Sequence, residues 1–164
     1  MTDKFVASNG AEIEICFAGF REAMNLKNAI YKNIVGNNIK IASIKLDGFS
    51  IDEMKNLNAD SLKQNKDKII KSLLSSADNI LQFILSVDSD SEINKSIFSC
   101  LKKCRYNKQK ITEELFEDEK AIEAYYEIVI ACIKKNLAPF LKPLIAKLSK
   151  LNQNQETNLE SKSG

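Results

Sequence analysis

Apolar residues recur at intervals of three and four along most of this chain, a spacing that places them on one face of an α-helix. Polar residues interrupt the longest such stretch, roughly Lys66 to Val87, so it predicts an amphipathic helix and not a membrane span. The pattern therefore predicts a mainly helical fold. The apolar face of this stretch consists of Ile70, Leu73, Leu74, Ala77, Ile80, Leu81 and Ile84.

Capping residues mark where other predicted helices begin and end. Ser50, with Glu53 three residues later, resembles a capping box, and Ser91 and Asp118 are suitable N-caps because their side-chain oxygens can accept a free backbone N–H. Pro139 is expected to end one helix and restart another, since proline donates no N–H and clashes with the preceding turn. Besides residues 66–87, the predicted helices cover residues 19–35, 50–57, 93–104, about 119–136 and 140–151.

The N-terminal segment has the spacing of a β-hairpin. Ile13, Ile15 and Phe17 alternate with more polar residues, which is the period of a half-buried strand, and residues 5–6 are its shorter partner. Asn9-Gly10 precedes this strand, and both residues tolerate the positive φ of a type I′ turn. We therefore predict a small hairpin at about residues 4–17.

These elements together predict a mainly α-helical single domain, residues 1–151, with the small N-terminal β-hairpin. A chain of 164 residues suits one domain with tails better than two independent cores. Residues 152–164 are polar apart from one leucine and are predicted to be a disordered tail. Residues 37–50 fit either a short strand or an irregular connection.

The charge balance argues against nucleic acid as the main partner. The formal charge is only +2, which provides little of the positive field that attracts phosphates. Arg21 and Arg105 are the only arginines, although the arginine fork is favoured for contacts to phosphates and bases. A nucleic-acid-binding regulator is therefore the alternative function, and it would use lysine-bearing C-terminal helices. Their lysines are Lys134, Lys135, Lys142, Lys147 and Lys150.

No catalytic, cofactor or metal site is predicted. The chain contains no histidine, which removes the commonest general base and metal ligand. Cys100 and Cys104 share a helix face and could serve a metal- or thiol-dependent enzyme, the third hypothesis. They are in phase with Ile93 and Ile97, so core packing is favoured. The carboxylates of residues 113–119 fit a solvated helix start better than an acid pair.

The expected location is the cytoplasm. Residues 1–10 are polar, so no signal peptide is expected, and no apolar run is long enough for a membrane span. The four cysteines are consequently expected to be reduced thiols.

Two segments resemble the tail assembly chaperones of long-tailed phages and prophages of low-GC bacteria. The first segment, residues 9–30, reads NGAEIEICFAGFREAMNLKNAI. It is similar to the start of the family's sequences, which has a strand of the type G-x-x-I-x-I, then a Phe, then a helix of the type A-x-x-L-x-x-A-I. YYEIVIACIKKNLAPFLKPL, residues 125–144, resembles the family ending V-x-x-x-N-x-x-P-F. The matching positions are Gly10, Ile13, Ile15, Phe20, Ala23, Leu26, Ala29, Ile30, Asn136, Pro139 and Phe140.

The resemblance implies a binding protein without catalysis. Its members bind the long helical tape-measure protein, keep it soluble and help tail-tube subunits polymerise around it in the host cytoplasm, and they are absent from the finished virion. The motif residues are interpreted as structural: Pro139 sets a bend, Asn136 caps the broken helix and Phe140 fills the core. Direct contact with the partner is the alternative for these three residues, and the binding surface and self-association stay open.

Overall fold

The computed structural model describes residues 1–36, 66–88 and 91–160, and the predictions for residues 37–50 and for the helix beginning at Ser50 lie outside them. The described elements form a mainly α-helical fold with an N-terminal hairpin, as the apolar spacing predicts. In chain order they are β1 (Thr2–Val6), β2 (Glu12–Cys16), α1 (Phe20–Gly36), α2 (Lys66–Leu74), α3 (Ala77–Leu85), α4 (Glu92–Leu101), β3 (Arg105–Tyr106), β4 (Gln109–Lys110), a 3₁₀ helix (Glu113–Glu117), α5 (Glu119–Glu123) and α6 (Tyr125–Glu160).

The N-terminal hairpin has a longer loop than the predicted two-residue turn. β1 pairs antiparallel with β2, with Phe5 opposite Ile13, and the loop closes through a 2.8 Å hydrogen bond from the Gly10 N–H to the Ala7 carbonyl. Gly10 has φ 84°, whereas Asn9 is not in the left-handed region, so the predicted type I′ turn at Asn9-Gly10 is wrong. The Asn9 side chain instead accepts the Ala11 N–H at 3.0 Å and donates to the Lys120 carbonyl, which secures the longer loop.

A second hairpin, between α4 and the 3₁₀ helix, extends the sheet. β3 pairs with β2 and with β4, so the four strands lie in the order β1-β2-β3-β4. Asn107 and Lys108 form its two-residue turn with φ of 46° and 69°, the backbone of a type I′ turn. The Asn107 side chain accepts the Glu12 N–H at 2.8 Å, so contact with β2 stabilises a turn that its own sequence signals only weakly.

The predicted helix over residues 66–87 is two helices. Ser76 has an extended backbone, and its side chain caps α3 by accepting the Asn79 N–H at 3.1 Å. The Ser75 hydroxyl donates to the Ser72 carbonyl at 2.6 Å. These serine side chains satisfy backbone groups that a continuous helix would have paired, which is why the helix ends and restarts here.

Helix α6 passes through Pro139, so the predicted break at this residue is wrong. Pro139 is exposed, and α6 continues without the hydrogen bond that a backbone N–H would donate at this position. The break lies further upstream, at Ala124, which separates α5 from α6. The backbone of α6 continues to Glu160, and the domain boundary after Leu151 stays a prediction.

The hydrophobic core surrounds α6, which contacts β2 and each of α1 to α5. Its apolar face packs against the inward side chains of the strand and the other helices, where burial of such groups supplies most of the folding free energy. No helix within the described ranges is long and apolar enough to cross a membrane. The largest fully buried side chains are Ile13, Ile15, Leu26, Ile30, Ile69, Ile70, Leu73, Ile80, Ile93, Ile97 and Leu101.

Candidate partner-binding surface

Asn136 joins α6 to the loop between β2 and α1. Its side chain is fully buried; its oxygen accepts the Ala18 N–H at 2.9 Å, and its nitrogen donates to the Cys132 carbonyl at 2.9 Å. Because α6 is unbroken, Asn136 does not cap a helix end, and that interpretation is wrong. The residue instead satisfies a buried backbone donor that belongs to a distant part of the chain.

The loop of residues 17–19 is held from two sides, and an exposed phenylalanine lies at its start and another directly after it. Ala18 is buried, and its carbonyl accepts a hydrogen bond from Lys103 Nζ at 2.6 Å. Phe17 and Phe20, on either side of the loop's centre, are 36% and 68% exposed. Phe17 follows β2 and does not belong to its buried face, which corrects the predicted alternation over Ile13, Ile15 and Phe17.

Phe20 and Phe140 pair across α1 and α6. Their ring centroids are 6.1 Å apart, and the Lys27 ammonium lies 5.3 Å from the Phe140 centroid, within the range of a cation–π contact. Phe140 is half-buried at the edge of the core, so the expectation that it fills the core is corrected. Pro139 precedes it and is exposed. We call Phe20, Pro139 and Phe140 the apolar border, and they lie at the start of α1 and on α6.

A groove of about 580 Å³ lies beside this border, between the N-terminal strand and α6. Its apolar part comes from Phe17, Pro139 and two alanines of α6, and its polar part is dominated by lysine. Such small residues on a helix allow another backbone to approach closely. We call this cavity the groove, and it is lined by Met1, Asp3, Phe17, Ala131, Lys134, Lys135, Ala138, Pro139 and Lys142.

The groove carries positive charge that acidic residues of the described chain neutralise only in part. Lys135 donates to Asp3 at 2.7 Å, whereas Lys134 and Lys142 are exposed and form no ion pair with any residue that the structure describes. A second cavity of about 610 Å³, between α1 and α4, also carries lysines, and its lining is Asn25, Lys27, Asn28, Ala29, Tyr31, Lys32, Glu92, Lys95 and Ser96. The groove differs in the source of its apolar lining, which is Phe17, Pro139 and two alanines of α6.

Cys100 and Cys104 are core residues, as their phase with Ile93 and Ile97 predicts. Burial raises the pKa of the Cys104 thiol to about 11. A hydrogen bond with the Cys100 side chain, together with burial, raises the pKa of the Cys132 thiol well above its ordinary value. Among residues 1–36, 66–88 and 91–160, no group of three or more ligands could hold a metal ion.

We expect thiol reagents to distinguish Cys16 from the other cysteines. Cys16 is partly exposed, whereas the other three are buried, and at pH 8 a thiol with a pKa of about 11 supplies almost no reactive thiolate. Brief N-ethylmaleimide treatment followed by mass spectrometry should label Cys16 in native protein and all four cysteines in denaturant. Rapid labelling of Cys104 in native Cys16→Ser protein would contradict this placement.

The acidic segment is a solvated helix start, as predicted. Asp118 caps α5 by accepting the Ala121 N–H at 3.0 Å, and the positive end of the helix dipole favours the negative charge nearby. No pair of buried carboxylates arises from this segment. Its exposed acidic residues are Glu113, Glu114, Glu117, Asp118 and Glu119.

The fold and the groove define a small, mainly helical protein with an apolar, lysine-bearing surface suited to a protein partner. The model of a phage tail assembly chaperone family, TAC, matches residues 41–151, and the chain belongs to this family. The predicted resemblance is thereby confirmed, and family membership implies protein partners in the phage tail. The match includes Asn136, Pro139 and Phe140 but not the N-terminal motif. No curated protein and no solved structure matches the chain.

Proposed function

We propose that the protein is a non-catalytic chaperone of a phage or prophage that binds the tape-measure protein and assists assembly of the tail tube around it. It would act in the host cytoplasm and be absent from the finished virion. Family membership supports the role in tail assembly. The groove is the observation that favours the tape-measure protein as the partner. Its apolar surface suits a helix that would otherwise aggregate through its own apolar residues.

The groove offers what an amphipathic helix requires. An apolar stripe at helical spacing can pack against Phe17, Ala138 and Pro139, which removes apolar surface on both partners from water. Acidic residues that flank the stripe can pair with Lys134 and Lys142. Charge pairs at the rim of an interface mainly set orientation and speed of association, so the apolar contacts supply most of the affinity.

We propose two roles for the family-motif residues. The buried or turn-forming ones build the folded domain that carries the groove, which we call the body. Asn136 positions the loop of residues 17–19 by accepting the Ala18 N–H. Phe20, Pro139 and Phe140 form the apolar border that the client contacts. The body residues are Gly10, Ile13, Ile15, Ala23 and Leu26.

Co-expression with the tape-measure protein of the same phage or prophage tests the proposal. The chaperone should keep that protein in the soluble fraction and co-purify with it. Replacing Phe17 and Phe20 together by serine should weaken capture by at least about tenfold, in proportion to the apolar area lost. Leu85→Ser is the control, because Leu85 is a large apolar residue that is 55% exposed but lies on α3.

Two outcomes would contradict the proposal. Wild-type protein that neither solubilises nor retains the tape-measure protein would exclude this client, and equal capture by the double variant and Leu85→Ser would exclude the groove as the site. Adding tail-tube subunits to the purified complex then tests assistance of assembly. Faster or longer tube formation than with tape-measure protein alone is expected.

The two alternative functions receive less support. Lys134, Lys135 and Lys142 lie beside apolar residues, and one of them already pairs with Asp3, whereas a phosphate-binding surface needs several free cations in a polar setting. For thiol chemistry, Cys104 and Cys132 are buried with raised pKa values, the opposite of an activated nucleophile.

A further inference from the structure

Aromatic and apolar side chains lie together where the 3₁₀ helix is followed by α5 and α6. The ring centroids of Phe116 and Tyr125 are 5.0 Å apart, and those of Tyr125 and Tyr126 are 5.2 Å apart, both in edge-on geometry. Ile122 lies three and four residues before the two tyrosines, the spacing that brings side chains to one side of a helix. Ala124 keeps right-handed helical backbone angles, so this spacing continues across the junction of α5 and α6.

Much of this apolar surface is in water. Ile122 is 56% exposed and Tyr126 is 42% exposed, while Phe116 and Tyr125 are half-buried. Phe98 of α4 packs against Phe116, with their ring centroids 6.0 Å apart. Aromatic side chains offer a large contact area and lose little conformational entropy when a partner covers them, which is why they are enriched in protein interfaces. The group is therefore suited to contact with a protein.

Carboxylates border the exposed side chains. Glu119 precedes Ile122 by three residues and Glu123 precedes Tyr126 by three, so each lies beside an apolar neighbour at helical spacing. Both carboxylates are exposed, and neither forms an ion pair within the described ranges of the chain. Lys120 is two residues from Ile122, which at about 100° per residue places it on nearly the opposite side of α5. Negative charge therefore dominates beside the apolar group.

The 3₁₀ helix adds further negative charge. Burial, the neighbouring Tyr126 and Glu113 together raise the pKa of the Tyr125 hydroxyl, so the Glu113 carboxylate lies within electrostatic reach of that ring. Glu117 directly follows Phe116 and is exposed. We call this region the acidic aromatic surface, and its central members are Phe116, Glu119, Ile122, Glu123, Tyr125 and Tyr126.

The acidic aromatic surface differs from the groove in position and in charge. Along α6, the step from Tyr126 to Ala138 of the groove is about 18 Å in rise and about 120° in rotation. Lysines line the groove, whereas carboxylates border the acidic aromatic surface. On α4 the surface ends at Phe98, because Lys95 and Lys102 lie at three- and four-residue spacing from it. A helix whose charge fits one of the two surfaces is therefore opposed by the charge at the other.

We propose that the acidic aromatic surface binds a cationic amphipathic helix of a second protein partner. Ile122 and Tyr126 form a ridge at four-residue spacing, which packs between the ridges of another helix. Lysine or arginine beside the partner's apolar stripe pairs with Glu119 and Glu123, and an arginine can also stack on the Tyr126 ring. This site goes beyond the proposed function, because the tape-measure helix proposed for the groove carries acidic residues beside its stripe.

Fluorescence anisotropy of the full chain with two synthetic helical peptides tests the proposal. The peptides share a leucine stripe, and one carries arginine beside the stripe whereas the other carries glutamate. Wild-type protein should bind the arginine peptide, more weakly as ionic strength rises. Ile122→Ser with Tyr126→Ser should weaken this binding by at least about tenfold, since it removes the exposed apolar contacts. Glu119→Lys with Glu123→Lys, at exposed positions, should weaken it by a similar factor.

Two control variants make the result specific. Glu12→Lys with Glu92→Lys makes the same change of net charge at exposed positions on β2 and α4, and should alter binding of the arginine peptide little. Phe17→Ser with Phe20→Ser changes the groove and should also leave it unaltered, so failure of the groove as the client site would not affect this result. Circular dichroism establishes that each variant is folded. A wild type that does not bind the arginine peptide, or equal losses in the Glu119 and Glu12 double variants, would overturn the proposal.

Discussion

Replacing Asn136 by leucine is expected to lower the free energy of unfolding by about 2–4 kcal/mol, because it leaves a buried backbone donor without an acceptor. The Asn136 side chain accepts the Ala18 N–H, and both residues are buried, so water cannot replace the lost hydrogen bond. Leucine has the same branched arrangement of heavy atoms and is not smaller, which keeps a cavity from explaining the result. Urea unfolding followed by circular dichroism at 222 nm measures the change.

Two further variants make the Asn136 experiment specific. Asn136→Asp retains the acceptor for Ala18 but loses the donor to the Cys132 carbonyl and buries a charge, so it should also be destabilised at pH 7. Burial raises the pKa of a carboxyl group, and the neutral acid can donate again, so the stability of this variant relative to wild type should recover as pH falls. Asn25→Leu, at an exposed position of α1, should change stability little. Wild-type stability in Asn136→Leu would show that other contacts hold the loop.

Local sequence signals predicted those elements whose stability is itself local. Ser91 and Asp118 cap α4 and α5 as expected, because a cap needs only the three residues that follow it. The apolar stripe of α1 also agrees with the structure at Ala23, Leu26, Ala29 and Ile30, which are buried. The break at Ser75-Ser76 was missed because the apolar spacing continues across it, and spacing alone does not register a serine that competes for backbone hydrogen bonds.

The groove could not have been predicted in the same way. Phe17 has the same two-residue spacing as Ile13 and Ile15, and it is exposed only because the chain leaves the strand after Cys16. That departure is secured by the contact between Ala18 and Asn136, which are 118 residues apart in sequence. The motif resemblance includes Asn136, Pro139 and Phe140. Their position next to Ala18 and Phe20 depends on how α6 packs against the N-terminal part of the chain, which sequence spacing does not specify.

Strand β2 contains a fully buried residue, Ile15, whose truncation should have a large effect on stability. Ile15→Ala is expected to lower the free energy of unfolding by about 2–5 kcal/mol, because Ile15 is fully buried and its removal leaves a cavity in the core. Phe17→Ala, two residues along, should cost less, about 1–2 kcal/mol, since the residue is already 36% exposed to water. Parallel urea titrations of the two variants measure the contrast.

Binding should respond in the opposite order. At a temperature where both variants remain folded, Ile15→Ala should retain capture of the tape-measure protein because it leaves the groove lining unchanged, whereas Phe17→Ala should lose a large part of it. This exchange of effects separates a residue that builds the body from one that contacts a client. If Phe17→Ala unfolded as readily as Ile15→Ala, Phe17 would belong to the core. The reduced capture by Phe17→Ala would then reflect a smaller fraction of folded protein. It would no longer be evidence that the client binds to Phe17 in the groove.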